Sequence, residues 1–239
     1  MSVALDILAL GAHPDDVEVH AGGILALAVD RGLKAGILDL TTGDLGTRGT
    51  PETRREEAEA AARILGATRT LLTFPDGRFT EEEPYRLALI RELRRLRPRV
   101  LILPPPTDRH PDHGRAHRLG QEAAFYAGLR NYPCEGEPFR PQAVAWVGGE
   151  NPGIPDLVVD VSTVWDRRMR AFDAFGSQFT HREGEARTRI SSPTFRSGIE
   201  GRSRHWGSLI LAEHGEALWC DKPVAPALLT FLAQLRDGS

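Results

Sequence analysis

Along the first two-thirds of the chain, short apolar runs alternate with longer stretches whose apolar residues recur at helical spacing. Ala4–Leu10, Ala35–Leu40, Thr70–Phe74 and Val100–Leu103 are short and rich in aliphatic residues, which predicts buried strands. Between them the pattern predicts helices over about Asp16–Arg31, Pro51–Leu65 and Pro84–Leu96, and a fourth over Arg115–Leu129. Pro51 stands at the first position of its helix, where a missing N–H costs nothing, and acidic residues follow in its early turns. Pro98 ends the next helix, and Pro104-Pro105-Pro106 stops the fourth strand. Ala143–Val147 and Leu157–Val161 read as further strands. Such alternation predicts an α/β fold: a Rossmann-like, doubly wound, mainly parallel sheet with helices on both faces. After Trp165, beyond a helix to Phe175, the pattern loosens into a Gly-, Ser- and Arg-rich stretch. We read residues 1–239 as a single domain, with a core over about 1–165 and a covering extension over about 166–239.

Composition narrows the function. The formal charge is −3, so no basic field favours nucleic acid. No run of about 18 apolar residues predicts a membrane span. The apolar N-terminal stretch lacks a cationic lead and a small-residue cleavage site, so it reads as a strand and not as a signal peptide. Two cysteines, Cys134 and Cys220, in a chain this long suggest free thiols and a reducing, cytoplasmic setting. The basic residues are 28 Arg against 2 Lys.

The chemistry concentrates in two short motifs. His13-Pro14-Asp15-Asp16 follows the first strand, and His110-Pro111-Asp112-His113 lies in the loop after the fourth. In a doubly wound sheet ordered 3-2-1-4-5, strands one and four are neighbours at the point where the order reverses, and ligands bind at the carboxyl ends there. Both motifs therefore converge on one crevice. Two imidazoles and a carboxylate (His13, Asp16 and His113) make a three-ligand metal site with a position left for water. Taken singly, either motif reads equally well as turn and helix-cap chemistry. Asp15, beside the site, is a candidate general base. His110 and Asp112 read in two ways. They form an imidazolium–carboxylate pair that stabilises an oxyanion, or they support the metal ligands from behind. His117 reads as a solvated helix position and His20 as packing. A non-haem Fe(II) oxygenase would also use two His and one carboxylate. A nucleotide-binding module is disfavoured, because GAHPDD lacks the G-x-G-x-x-G cradle.

These motifs resemble the PIG-L, or LmbE-like, family of metal-dependent N-acetylglucosaminyl deacetylases. The resemblance continues through LTTGDLGTRGTPETRREEA at Leu40–Ala58, FPDG at Phe74–Gly77 and DRHPDHGRA at Asp108–Ala116. PDLVVDVS at Pro155–Ser162, SQF at Ser177–Phe179 and ISSPTF at Ile190–Phe195 extend it. Within the family the chain resembles the bacillithiol-biosynthesis branch, and that resemblance implies removal of acetate from N-acetylglucosaminyl-malate. The resemblance implies Zn2+ on His13, Asp16 and His113, with Fe2+ or Mn2+ able to take the same donors. It implies Asp15 as the base, His110 with Asp112 assisting, and Arg54 and Arg109 at the substrate. It further implies a small-molecule N-acetyl sugar as the partner and assembly into a homo-oligomer, trimer or hexamer. His205, in SRHWG, falls near a position where relatives often carry a Tyr.

Overall fold

The computed structural model describes residues 4–149, 153–220, 223–224 and 226–235. In chain order the elements begin with β1 (Ile7–Gly11), α1 (Asp16–His20), α2 (Gly22–Asp30), β2 (Ala35–Thr41), α3 (Pro51–Leu65), β3 (Thr68–Phe74), α4 (Glu83–Leu96) and β4 (Val100–Leu103). There follow α5 (Pro111–Ala127), β5 (Ala143–Val147), β6 (Leu157–Asp160), α6 (Trp165–Asp173) and α7 (Gly176–Phe179). The chain continues through α8 (Pro193–Ser208), β7 (Gly215–Trp219) and α9 (Pro226–Gln234).

The strands form one sheet in the order β3-β2-β1-β4-β5-β7-β6. The first five are parallel, and β7 runs antiparallel to both β5 and β6. Alternation along each strand divides the core in two. Ile7, Ala9, Val100 and Ile102 face α2, α3 and α6; Leu8, Leu10, Leu101 and Leu103 face α4 and α5. Since successive side chains of a strand point to opposite faces, strands that are apolar at every position need helices on both sides. The doubly wound reading of the sequence is the observed architecture.

Three features depart from the expected elements, each for a local reason. The helix expected over Asp16–Arg31 is two helices, interrupted at Ala21, whose φ of −138° is not helical. The carboxylate of Glu216, on β7, accepts from the N–H groups of Gly23 and Ile24 at 2.9 and 2.8 Å, satisfying donors that the start of α2 leaves open. The helix after the fourth strand begins at Pro111, four residues earlier than expected, so the second motif is a helix start and not a free loop. Lastly, the Gly-, Ser- and Arg-rich stretch contains α8, capped by the Ser192 side chain, which accepts from Phe195 N at 3.1 Å. The tail therefore does more than cover the core, because β7 lies within the sheet between β5 and β6.

Candidate metal centre

β1 and β4 are hydrogen-bonded neighbours, paired from Ile7↔Val100 to Ala9↔Ile102. Their carboxyl ends deliver both motifs to the floor of a crevice of about 700 Å³. His13, Asp16 and His113 meet there. The Asp16 carboxylate lies between the two rings, with Oδ1 3.1 Å from His113 Nε2 and Oδ2 3.5 Å from His13 Nδ1. The His13 N–H donates to Asp16 Oδ2 at 2.8 Å and fixes the turn.

On each imidazole the nitrogen turned away from Asp16 faces a further carboxylate. His13 Nε2 is 3.0 Å from Asp76 Oδ1 and 3.4 Å from Asp112 Oδ2, and His113 Nδ1 is 3.1 Å from Asp108 Oδ2. These outer carboxylates are held in turn. Leu45 N–H donates to Asp76 at 2.9 Å, and Gly77 N–H and the Arg115 guanidinium donate to Asp112 at 2.9 and 2.6 Å. A carboxylate behind a histidine orients the ring and leaves its other nitrogen for a metal.

The charge balance fits a divalent cation. Burial opposes charge on His13, yet Asp112, Asp16 and Asp76 outweigh it and hold the imidazole well above its ordinary pKa. Burial likewise opposes His113, and Asp16 and Asp108 raise it to about 10. Burial disfavours ionised Asp16, but His113 and His13 keep it well below the usual carboxylate range. The carboxylates thus favour positive charge on both rings, charge that a dication would replace as the protons leave. Among the described residues, the groups whose ligating atoms all lie within 4.8 Å of one another are His13–His110–His113 and His13–Asp76–Asp112, while Asp16 lies between the His13 and His113 rings. In the second, Asp76 and Asp112 accept from Leu45 N–H, Gly77 N–H and Arg115 while both face His13 Nε2. His13 belongs to every arrangement.

Asp15 is held in a conformation that L-residues rarely adopt, with φ 116° and ψ −27°. Such backbone costs on the order of 1–3 kcal/mol and persists where the surroundings enforce it. Here it turns Asp15 toward Arg54 while Asp16 starts the helix, so neighbouring carboxylates take separate partners. Burial pushes the Asp15 carboxyl up to about 7 against the opposing charge of Arg54.

Three expectations change. Arg54 is not a rim arginine: it is 5% exposed, and its guanidinium donates to Pro14 O, Gly43 O and Asp15 Oδ2 at 2.6, 3.1 and 3.1 Å. It nonetheless lines the crevice, with both Nη groups on protein acceptors at the Asp15 turn. Asp112 does not pair with the His110 ring. Starting a helix at Pro111 makes His110 its cap, and Nδ1 accepts from Asp112 N–H at 3.3 Å while the Asp112 carboxylate turns to His13. A ring whose Nδ1 accepts is neutral, and burial with the nearby charges of His13 and His113 lowers the His110 pKa. In that arrangement Nε2 is the nitrogen left to donate, and the Asp112 carboxylate stands behind His13 as the second reading of this pair expects. His117 is buried and not solvated, with Nδ1 2.8 Å from Pro104 O.

Arg109 lines the crevice from an exposed position, as do Arg187 and Arg189 of the tail. His205 is exposed on α8 against Trp206, and Arg202, one turn earlier, lines the crevice instead. His20 lines it too; burial, and then the charge of Arg202, lowers its pKa to about 3. Asp76, Asp108 and Arg202 carried no role in the sequence reading. The first two stand in the FPDG and DRHPDH blocks, which was the available signal; one arginine among 28 offered none.

A doubly wound sheet with a His/Asp crevice at its switch point places candidate metal ligands where folds of this class bind their ligands. Comparison with known proteins is specific. Residues 8–124 match the family model described as PIG-L, GlcNAc-PI de-N-acetylase. The diacetylchitobiose deacetylase of Thermococcus kodakarensis is 31% identical over 186 residues, covering 72% of this chain and 70% of that protein. The 4-oxalmesaconate hydratase of Pseudomonas putida is 28% identical over 195 residues, covering 72% and 73%. The crystal structure of the conserved protein TT1542 from Thermus thermophilus is 42% identical with a TM-score of 0.85, covering 92% of this chain and 96% of that one. The chain belongs to the PIG-L (LmbE-like) family of metal-dependent deacetylases.

Proposed function

We propose that this chain removes acetate from an N-acetylglucosaminyl conjugate, and that the conjugate is N-acetylglucosaminyl-malate of bacillithiol biosynthesis. The observation that carries the reading is the placement of Asp15, a carboxylate held by Arg54 at 3.1 Å beside the Asp16–His13–His113 group. His13, Asp16 and His113 would hold the ion: zinc by default, with iron or manganese suited to the same donors. When bound, such an ion polarises an amide carbonyl and lowers the pKa of water.

The protein groups do the rest. Asp15 takes a proton from the attacking water, and a base is most effective when its pKa lies near the working pH. Arg54 fixes the direction of that carboxylate. His110 donates its Nε2–H to the oxygen on which negative charge develops, as a neutral imidazole at a helix start can do. The protonated Asp15 carboxyl then returns its proton to the departing amine. Arg109, Arg187 and Arg189 supply cationic charge for the malate carboxylates. Assembly as a trimer or hexamer belongs to the same proposal. Among the described residues no helix is long and apolar enough to cross a membrane.

The hydratase relative supports a second reading, water addition to an unsaturated acid by the same crevice. One assay separates the two. Metal-loaded protein is given N-acetylglucosaminyl-malate, N-acetylglucosamine and an unsaturated dicarboxylic acid. Amine release from the malate conjugate, fastest of the series, is expected. Turnover of the unsaturated acid without amine release would replace the deacetylase reading.

A further inference from the structure

Beside the proposed metal ligands lies a second, much smaller space. Leu10, Leu103 and Pro105 are among its apolar walls, and Asp16, His20 and His113 close the side shared with the crevice. Its open volume is about 10 Å³, room for roughly one water-sized group. The walls are mostly aliphatic and proline carbon, which suits a methyl group better than a water needing several polar partners.

Beyond it lies another cavity, of about 30 Å³, built largely by the tail. Ile199 and Trp206 of α8 and Glu216 of β7 are among its walls. Among the described residues the small pocket and this cavity share two walls, His20 and Val147. His20 also lines the crevice, so this residue borders all three spaces.

We propose that the small pocket receives the alkyl group of the substrate's acyl chain, and that His20 is a specificity-determining residue that limits it to acetyl. An amide whose carbonyl faced an ion held by His13, Asp16 and His113 would have its alkyl group beside this pocket, which Asp16 and His113 also line. A methyl fills the space. Each added methylene meets His20 or Val147, and closely packed walls yield little. This inference rests on the deacetylase reading and adds to it the size of the acyl group.

The test compares N-acetyl-, N-propionyl- and N-butyrylglucosaminyl-malate as substrates of metal-loaded wild type, His20→Ala, His20→Leu and Val147→Ala. Thermal melting and metal content are measured on each. In wild type kcat/KM should fall about tenfold or more per methylene, the scale on which a filled apolar pocket discriminates. His20→Ala joins the two spaces and should raise the butyryl-to-acetyl ratio at least about tenfold. His20→Leu, which keeps the bulk and removes the imidazole, should retain the wild-type ratio. Val147→Ala opens the same partition from its other wall and carries the test should His20→Ala fail to fold. Equal turnover of acetyl and butyryl by wild type would overturn the proposal. So would an unchanged ratio in a folded His20→Ala or, failing that variant, in Val147→Ala, or relaxation by His20→Leu equal to that by His20→Ala. Those results leave amine release from the acetyl substrate intact, whereas no amine release from any member removes the deacetylase reading and this inference with it.

Discussion

Arg54 Nη2 lies 3.1 Å from Asp15 Oδ2, inside the protein, while the same nitrogen donates to Pro14 O at 2.6 Å. The arginine therefore grips both the strained residue and the peptide before it. Removing it should lower kcat for neutral N-acetylglucosamine and for the malate conjugate alike. Its positive charge also opposes the rise in the Asp15 pKa. Without that charge the carboxyl protonates at higher pH, so the acid limb of kcat/KM should move upward in Arg54→Ala. A loss confined to the malate conjugate, with an unmoved acid limb, would return Arg54 to substrate reading.

Asp15 and Asp16 are adjacent in sequence yet face different partners, so their variants should fail differently. Asp15→Asn should bind metal normally and lose about 10²–10⁴-fold in kcat, the usual contribution of a positioned base. Asp16→Asn should lose metal, since both imidazoles face that carboxylate. Metal analysis beside steady-state kinetics separates the two; equal metal loss in both would exchange or merge their roles.

Asp108 stands behind His113, as Asp76 and Asp112 stand behind His13. Asp108→Asn should weaken metal affinity about 10–100-fold, the range for losing a carboxylate that orients a ligating histidine. His113→Ala should lose more. Competition with a chelator of known affinity gives both values, and an Asp108 variant with wild-type affinity would show that His113 needs no such support.

Gly43 is the seat on which Arg54 rests. Its φ is +69°, and a Cβ there would lie 1.9 Å from Arg54 Nη1. Gly43→Ala should therefore expel the guanidinium and reproduce the kinetic defect of Arg54→Ala. The backbone strain alone should lower stability by roughly 1–3 kcal/mol. Denaturant melts and kcat test the two effects separately; normal kcat would mean that Asp15 is positioned without Arg54.

At the rim the expectation is reversed. Arg187 and Arg189 are exposed and line the crevice. The double variant Arg187→Ala/Arg189→Ala should weaken kcat/KM for N-acetylglucosaminyl-malate by roughly 1.5–3 kcal/mol, the value of a hydrogen bond to a charged group. It should leave plain N-acetylglucosamine nearly unaffected. Equal losses on the two substrates would place these arginines in the fold and not in recognition.

The sequence by itself determined the doubly wound sheet and the meeting of its two His/Asp motifs. Strand alternation, helix periodicity and proline stops are local properties, and strand order carries residues 13–16 and 110–113 to one end of the sheet. Contiguous motifs stay readable because their chemistry lies in one stretch of chain. Partners drawn from distant segments do not. Asp76 and Asp108 are ordinary turn residues until the fold sets them behind His13 and His113. Glu216 interrupts a helix nearly 200 positions away by accepting its open N–H groups. Arginine was the least legible residue, since one side-chain type serves inner clamp and outer rim, and only burial separates Arg54 from Arg189. His110 shows the same limit within a single motif: where the helix begins decides which atom its Nδ1 meets, and that decides whether the ring is neutral. Tertiary structure decides which partners these side chains meet because hydrogen bonding and desolvation depend on which groups lie together in space, not on their order along the chain.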